Sequence, residues 1–172
     1  MKRAIIMLVI VLAIAELIAL ATGFCLIVPI SKVNPKPVSK TEDARTIAAF
    51  KGFDFTKDNW AAYVAIAPDD FATLNPQLPK IWALKTTNRH VLQQMQRTWL
   101  FTANGEADVA TVTSTFYLLR NHKLVYQTGI VLDSTITALQ NSVYGEMMPV
   151  DKNEMVASVK QFKRVYWPIV VF

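Results

Sequence analysis

The stretch AIIMLVIVLAIAELIALATGFCLIVPI, residues 4–30, decides how this chain is organised. Glu16 is its one charged side chain. About 20 consecutive apolar residues are enough for a helix to cross the hydrocarbon core of a bilayer. The stretch therefore predicts a membrane anchor at 1–30, followed by a linker at 31–41 and a single α+β domain at 42–172. A linker is expected because Pro35 and Pro37 favour an extended chain.

The same stretch also has features of a cleaved signal peptide. Its residues 19–21, Ala-Leu-Ala, have the small side chains that a signal peptidase site needs. The apolar run nevertheless continues to Val28 before Pro29 breaks it, which is longer than export requires. We therefore favour a retained anchor, with the lipid bilayer as the first partner of the chain.

Basic residues near the anchor bear on its orientation. Lys2 and Arg3 precede the span, while Lys32, Lys36 and Lys40 follow it, so the positive charges are almost balanced. A very short basic N-terminal tail favours an N-terminus inside the cell. This arrangement predicts an inner (plasma) membrane protein with its domain outside the cytoplasm.

Glu16 shares the anchor with small residues at four-residue spacing, Ala15, Ala19 and Gly23. Such spacing lets a second helix approach closely, and a protonated carboxyl can hydrogen-bond to it. A carboxyl group inside a bilayer costs free energy unless it is protonated or paired. The pattern indicates either a contact with a partner helix or a tolerated protonated glutamate, and it does not distinguish the two.

Composition narrows the functions open to the domain. The net charge is +5, but its basic residues are scattered and do not form a nucleic-acid site. The one cysteine, Cys25, lies in the anchor, so no disulfide is expected within the chain. We expect no nucleic-acid partner.

The elements expected in the domain are helices, then strands, then helices again. Asp151, with Glu154 three residues later, is typical of a helix start. Asn104-Gly105 predicts a two-residue hairpin, and a second turn is expected at 120–123. With two-residue loops, Leu100 would face Val109 and Tyr117 would face Tyr126. The predicted helices are 44–50, 57–66, 136–143 and the one after Asp151, and the predicted strands are 91–103 (its first half equally compatible with a helix), 107–119 and 124–132.

No residue pattern indicates catalysis. His90 and His122 have no metal-ligand spacing, and the carboxylates have local roles in turns and helix starts. The five glycines form no phosphate-binding loop. We predict no catalytic residue, no metal, no cofactor and no enzymatic activity.

Two apolar sets are the remaining candidate sites. The first is aromatic and lines either a ligand pocket or, as we favour, an ordinary core; it comprises Trp60, Trp82, Trp99, Phe116 and Tyr126. The second is the C-terminal tail, with Trp167, Ile169 and Phe172, which is either a last strand or a segment that docks on a partner.

The order of helices, antiparallel meander and single anchor resembles nuclear-transport-factor-like domains, which form a cone-shaped α+β fold. A periplasmic assembly subunit of type IV secretion systems carries that fold behind one membrane helix. The arrangement also resembles the small membrane partner of membrane-bound winged-helix regulators, although helices at both ends of this domain count against that class. Element order alone carries both resemblances.

The expected function is therefore a single-pass, non-enzymatic interaction or assembly module of a bacterial envelope complex, with other envelope proteins as partners. The alternative is a ligand-binding or sensory domain outside the cytoplasm, such as the membrane partner of a transmembrane regulator, its ligand unknown. An enzyme is the third and least favoured hypothesis.

Overall fold

The computed structural model describes residues 2–30, 46–103, 113–141 and 144–172. Helix α1 (Lys2–Thr22) is followed by strand β1 (Leu26–Val28). Twenty-one residues make a helix about 32 Å long, and α1 is both long and apolar enough to cross a membrane. Gly23 stops the helix with a φ of +73°, a conformation that glycine adopts without a steric penalty.

The described part of the domain contains ten further strands, two α-helices and one 3₁₀ turn. In chain order these are β2 (Ile47–Ala48), β3 (Trp60–Ala65), the 3₁₀ turn Pro68–Ala72, β4 (Ala83–Thr86), α2 (Arg89–Thr98), β5 (Leu100–Ala103), β6 (Thr115–Arg120), β7 (Lys123–Leu132), β8 (Thr137–Asn141), β9 (Gly145–Pro149), α3 (Lys152–Lys160), β10 (Lys163–Arg164) and β11 (Ile169–Val171).

Nine of the strands form one antiparallel sheet in the order β10-β4-β3-β6-β7-β8-β9-β5-β2. One face of this sheet packs against α2 and α3. Val91 and Met95 of α2 and Met155 and Val159 of α3 are buried in the same core as Phe116 of β6. The predicted α+β class with an N-terminal apolar helix is confirmed.

Two predicted helices are strands, and those predictions were wrong. Residues 57–66 contain β3, whose Val64 faces the main core while Tyr63 faces the opposite side of the sheet. Residues 136–143 contain β8, which lies between β7 and β9. In both segments burial comes from strand neighbours that are distant in sequence, and this overrides local helix preference.

Other local predictions had mixed outcomes. Residues 91–103 divide into α2 and β5, and Asn88 caps α2 by accepting a hydrogen bond from the His90 N–H at 2.9 Å. The helix predicted at 44–50 was wrong over its described part, because Ile47–Ala48 is a strand. Asp151 caps α3 as predicted, accepting from two backbone N–H groups.

The hairpin between β6 and β7 has the predicted two-residue turn, with positive φ at Asn121 and His122. The register is not the predicted one. A β-bulge between Leu118 and Leu119 pairs Tyr126 with Leu118 and leaves Tyr117 opposite Gln127.

The predicted pairing of Leu100 with Val109 and the Asn104-Gly105 turn lie partly or wholly outside the described residues. Both edges of β5 are paired, one with β9 and the other with β2. The partner of Leu100 in the described chain is Ala48.

Candidate interaction surface at the end of the N-terminal helix

The two ends of the chain meet in a small parallel sheet, which we call the exit ribbon (Leu26–Val28 paired with Ile169–Val171). Leu26 lies opposite Ile169 and Val28 opposite Val171. The Leu26 N–H donates to the Pro168 carbonyl at 2.9 Å, and the Ile30 N–H donates to the Phe172 carbonyl at 2.7 Å. The C-terminal tail is therefore a strand whose partner is the segment that leaves α1.

The inner face of the exit ribbon covers the second face of the large sheet. The ring of Phe172 lies 5.5 Å from that of Tyr63 and 5.4 Å from that of Tyr117, measured between centroids. Cys25 is buried in the same cluster. Burial raises the pKa of the Cys25 thiol and that of the Tyr117 phenol, so both groups are neutral near pH 7.

The outer face of the exit ribbon is apolar and exposed. Ile169 is 57% exposed and Val171 is 54% exposed, and their neighbours Leu26 and Val28 are also exposed. Trp167, just before the ribbon, is 71% exposed. A strip of this kind is unusual on a soluble surface, which makes it a candidate interaction site.

Arg164 joins the domain to the end of α1. Its guanidinium donates a hydrogen bond to the carbonyl of Leu20, one of the carbonyls that a helix end leaves without an intrahelical partner. The Thr22 hydroxyl donates to the Ile18 carbonyl at 2.9 Å. A cation at a helix C-terminus is also favoured by the helix dipole. The same guanidinium lies 5.4 Å from the ring centroid of Tyr166.

Gly23 is favoured at this junction because its φ is positive, a backbone conformation that L side chains rarely adopt. A Cβ added there would make only ordinary van der Waals contacts, 3.4 Å from Nη2 of Arg164 and 3.5 Å from Ile81. We expect Gly23→Ala to lower the free energy of unfolding of the full-length chain in detergent by about 1–2 kcal/mol. Chemical denaturation followed by fluorescence measures this change.

Gly52→Ala is the matched control, because nothing lies within 4 Å of a Cβ at that position. It should leave the free energy of unfolding unchanged or slightly raised. Equal losses in the two variants would show that the backbone at Gly23 is not constrained.

The four residues predicted to contact a partner helix do not share one environment. Ala15 and Glu16 are exposed on α1, whereas Ala19 is 8% exposed. Gly23 lies beyond the helix end and contacts the domain. Glu16 is six residues from the helix end, which is about 9 Å along its axis.

The five aromatic residues of the predicted pocket or core lie in two places. Trp99, Phe116 and Tyr126 are fully buried with Phe50, at ring-centroid distances from Phe50 of 5.4, 5.5 and 5.8 Å. Trp60 belongs to the same core. Trp82 belongs instead to the cluster under the exit ribbon, where its ring lies 4.8 Å from that of Phe24.

A shallow cleft of about 300 Å³ lies beside the β6–β7 turn. Its wall includes Asp58, which accepts hydrogen bonds from Arg120 at 2.7 Å and from Asn121 at 3.1 Å. The bonds from Asn121 and Arg120 lower the pKa of the Asp58 carboxyl. Its lining mixes apolar and polar side chains: Phe55, Asp58, Asn59, Trp60, Thr87, Arg89, Leu92 and His122.

In the part of the chain that the structure describes, no three His, Cys, Asp or Glu side chains lie close enough together to hold a metal ion. Asp70 accepts hydrogen bonds from Ser114 and Thr113, which ties the 3₁₀ turn to the start of β6.

No family model, curated protein or solved structure matches this chain.

Sequence reasoning did not place Arg164 or Tyr166 at a site, because the basic group of Lys160, Lys163 and Arg164 is typical of a solvated helix face. Both residues belong to the junction, and Lys163–Arg164 is a strand. A signal for them was present, because 155–172 contains Lys160, Lys163 and Arg164 but no acidic residue. Tryptophan and tyrosine are enriched where a membrane meets water, and basic residues are attracted by anionic lipid headgroups.

Proposed function

We propose that this protein is a single-pass, non-enzymatic interaction module of a bacterial envelope complex. Helix α1 holds it in the inner membrane, and the domain lies on the extracytoplasmic side. The partners are other envelope proteins that contact α1 within the bilayer. The exposed Glu16 carries the proposal, because it lies on a helix of membrane length whose end is bonded to the domain.

The junction supports a module of fixed orientation rather than a freely tethered domain. The exit ribbon begins four residues after α1 ends, before residues 31–41 are reached. Arg164 bonds to Leu20 inside the last turn of the helix. A partner that binds α1 therefore meets a domain in a defined position.

Glu16 supplies the reason for a partner inside the membrane. A carboxyl about 9 Å from the helix end lies within the hydrocarbon layer when α1 spans it. There the group costs free energy unless it is paired, and a hydrogen bond to a neighbouring helix contributes about 0.5–2 kcal/mol.

We expect Glu16→Leu to reduce the recovery of partner chains severalfold while membrane yield stays equal or rises. The test is purification of the full-length chain from gently solubilised membranes of the source cells, with quantitative mass spectrometry of the co-purifying proteins. Resistance to an alkaline carbonate wash shows that each variant remains inserted.

Glu16→Gln is the matched control, since its amide retains a hydrogen-bond donor and acceptor. It should recover the same partners as the native chain. Undiminished recovery with Glu16→Leu would reject the intramembrane contact, and release of the native chain by carbonate would reject the anchor itself.

The resemblances to nuclear-transport-factor-like domains and to the membrane partner of winged-helix regulators remain proposals for the class of this module. The nuclear-transport-factor-like cone would make the module similar to an assembly subunit, and a nine-stranded antiparallel sheet packed on two helices is compatible with that broad class. The ligand-binding alternative would use the shallow cleft, since Trp99, Phe116 and Tyr126 are packed in the core.

A further inference from the structure

We infer that the outer face of the exit ribbon lies in the headgroup layer of an anionic bilayer. This inference rests on the proposed membrane anchoring and deepens it, because it names the surface of the domain that faces the lipid. The exposed apolar strip of this face, formed by Leu26, Val28, Ile169 and Val171, then contacts the membrane that α1 crosses.

The first argument is position. Helix α1 is about as long as the hydrocarbon core is thick, so its last turn lies at the edge of that core. Arg164 contacts Leu20, which is in this last turn. The part of the domain that carries Arg164 is therefore level with the membrane boundary, and both strands of the exit ribbon lie close to it in the chain.

The second argument is the chemistry of the strip. Leu26, Val28, Ile169 and Val171 form two exposed apolar cross-strand pairs. Trp167 is 71% exposed next to them, and tryptophan and tyrosine are enriched where a membrane meets water. The strip is continuous with α1 through Phe24, which is itself exposed.

The third argument is charge. Arg164 is neighboured by Lys163, which pairs with Lys85 across β10 and β4. The sequence from 155 to 172 has basic residues and no acidic residue, and 17–41 likewise contains no acidic residue. Basic residues beside a membrane surface are attracted by anionic lipid headgroups. Apolar strip and basic border together match an anionic bilayer better than they match a neutral protein groove.

The test measures the depth of a nitroxide label on the full-length chain in vesicles. Cys25→Ala removes the native thiol, and Val171→Cys then places the label on the outer face of the exit ribbon. Lys57→Cys is the matched control, because the Lys57 side chain is 78% exposed and lies in the loop before β3. Vesicles are made from phosphatidylcholine alone or with phosphatidylglycerol, and unchanged thermal unfolding verifies each labelled fold.

We expect the ratio of oxygen to nickel-chelate collisions to be severalfold higher at position 171 than at position 57, and higher with phosphatidylglycerol than without it. A label at Trp167→Cys should agree with position 171. A water-like ratio at position 171 in a chain that resists carbonate would overturn this inference and leave the anchor standing. Release of the chain by carbonate would instead defeat the anchoring on which it rests.

Two further outcomes count against the inference. Dipolar broadening between labels at position 171, absent when labelled chains are diluted with unlabelled ones, would assign the strip to a second copy of the chain. Equal ratios in the two kinds of vesicle would overturn the role of anionic lipid.

Discussion

Replacing Trp99 with alanine is expected to destabilise the domain by about 3–5 kcal/mol, the usual cost of removing a large aromatic side chain from a packed core. Trp99 is 0% exposed, and its ring lies 5.4 Å from the rings of both Phe50 and Phe116. In a chain of this length such a loss lowers the melting temperature by about 10 °C or more. Thermal unfolding of the full-length chain in detergent measures it.

Two matched variants test the reason for that loss. The indole N–H of Trp99 has no hydrogen-bond partner among the described residues, so Trp99→Phe removes an unsatisfied donor together with part of the ring and should cost much less than alanine. Trp167→Ala removes an exposed indole and should barely change the melting temperature. Equal effects at Trp99 and Trp167 would contradict the described core.

Deleting residues 168–172 is expected to lower the melting temperature by about 10 °C. The deletion removes β11 and its backbone hydrogen bonds to Leu26 and Ile30. It also removes the ring of Phe172 from Tyr63 and Tyr117 and so exposes the second core. Because the helix remains, membrane insertion should be unaffected, and the measurement again uses the full-length chain in detergent.

The ribbon offers a matched pair of single substitutions for the same question. Phe172 points to the inner face and Val171 to the outer face. Phe172→Ala should reproduce much of the loss, whereas Val171→Ala should change stability by less than about 0.5 kcal/mol. An unchanged melting temperature after the deletion would show that the tail does not support the fold.

The sequence correctly predicted those features that depend on contacts within a few residues. Asp151 caps α3 through its own side chain, and Asn121 adopts the positive φ that a two-residue turn needs. The register after that turn was not predictable, because the bulge at Leu118 depends on how both faces of the sheet are packed.

The candidate surface was only partly predictable. The tail from Trp167 to Phe172 stood out because apolar residues at a chain end need a covering surface. Its strand partner, Leu26–Val28, is about 140 residues away in sequence. No pattern in either segment predicts that the two would pair.

The sequence by itself determined the helix of membrane length, the apolar tail and the Asp151 cap of α3, since each follows from composition or from contacts within a few residues. Only the tertiary structure decided that the apolar run divides at Gly23 and that its end pairs with the C-terminus. The reason is that hydrophobicity does not distinguish lipid from a protein core as the place of burial. Long-range strand pairing decided the backbone structure of residues 26–28, as it did for β3 and β8, where neighbouring strands outweighed local helical preference.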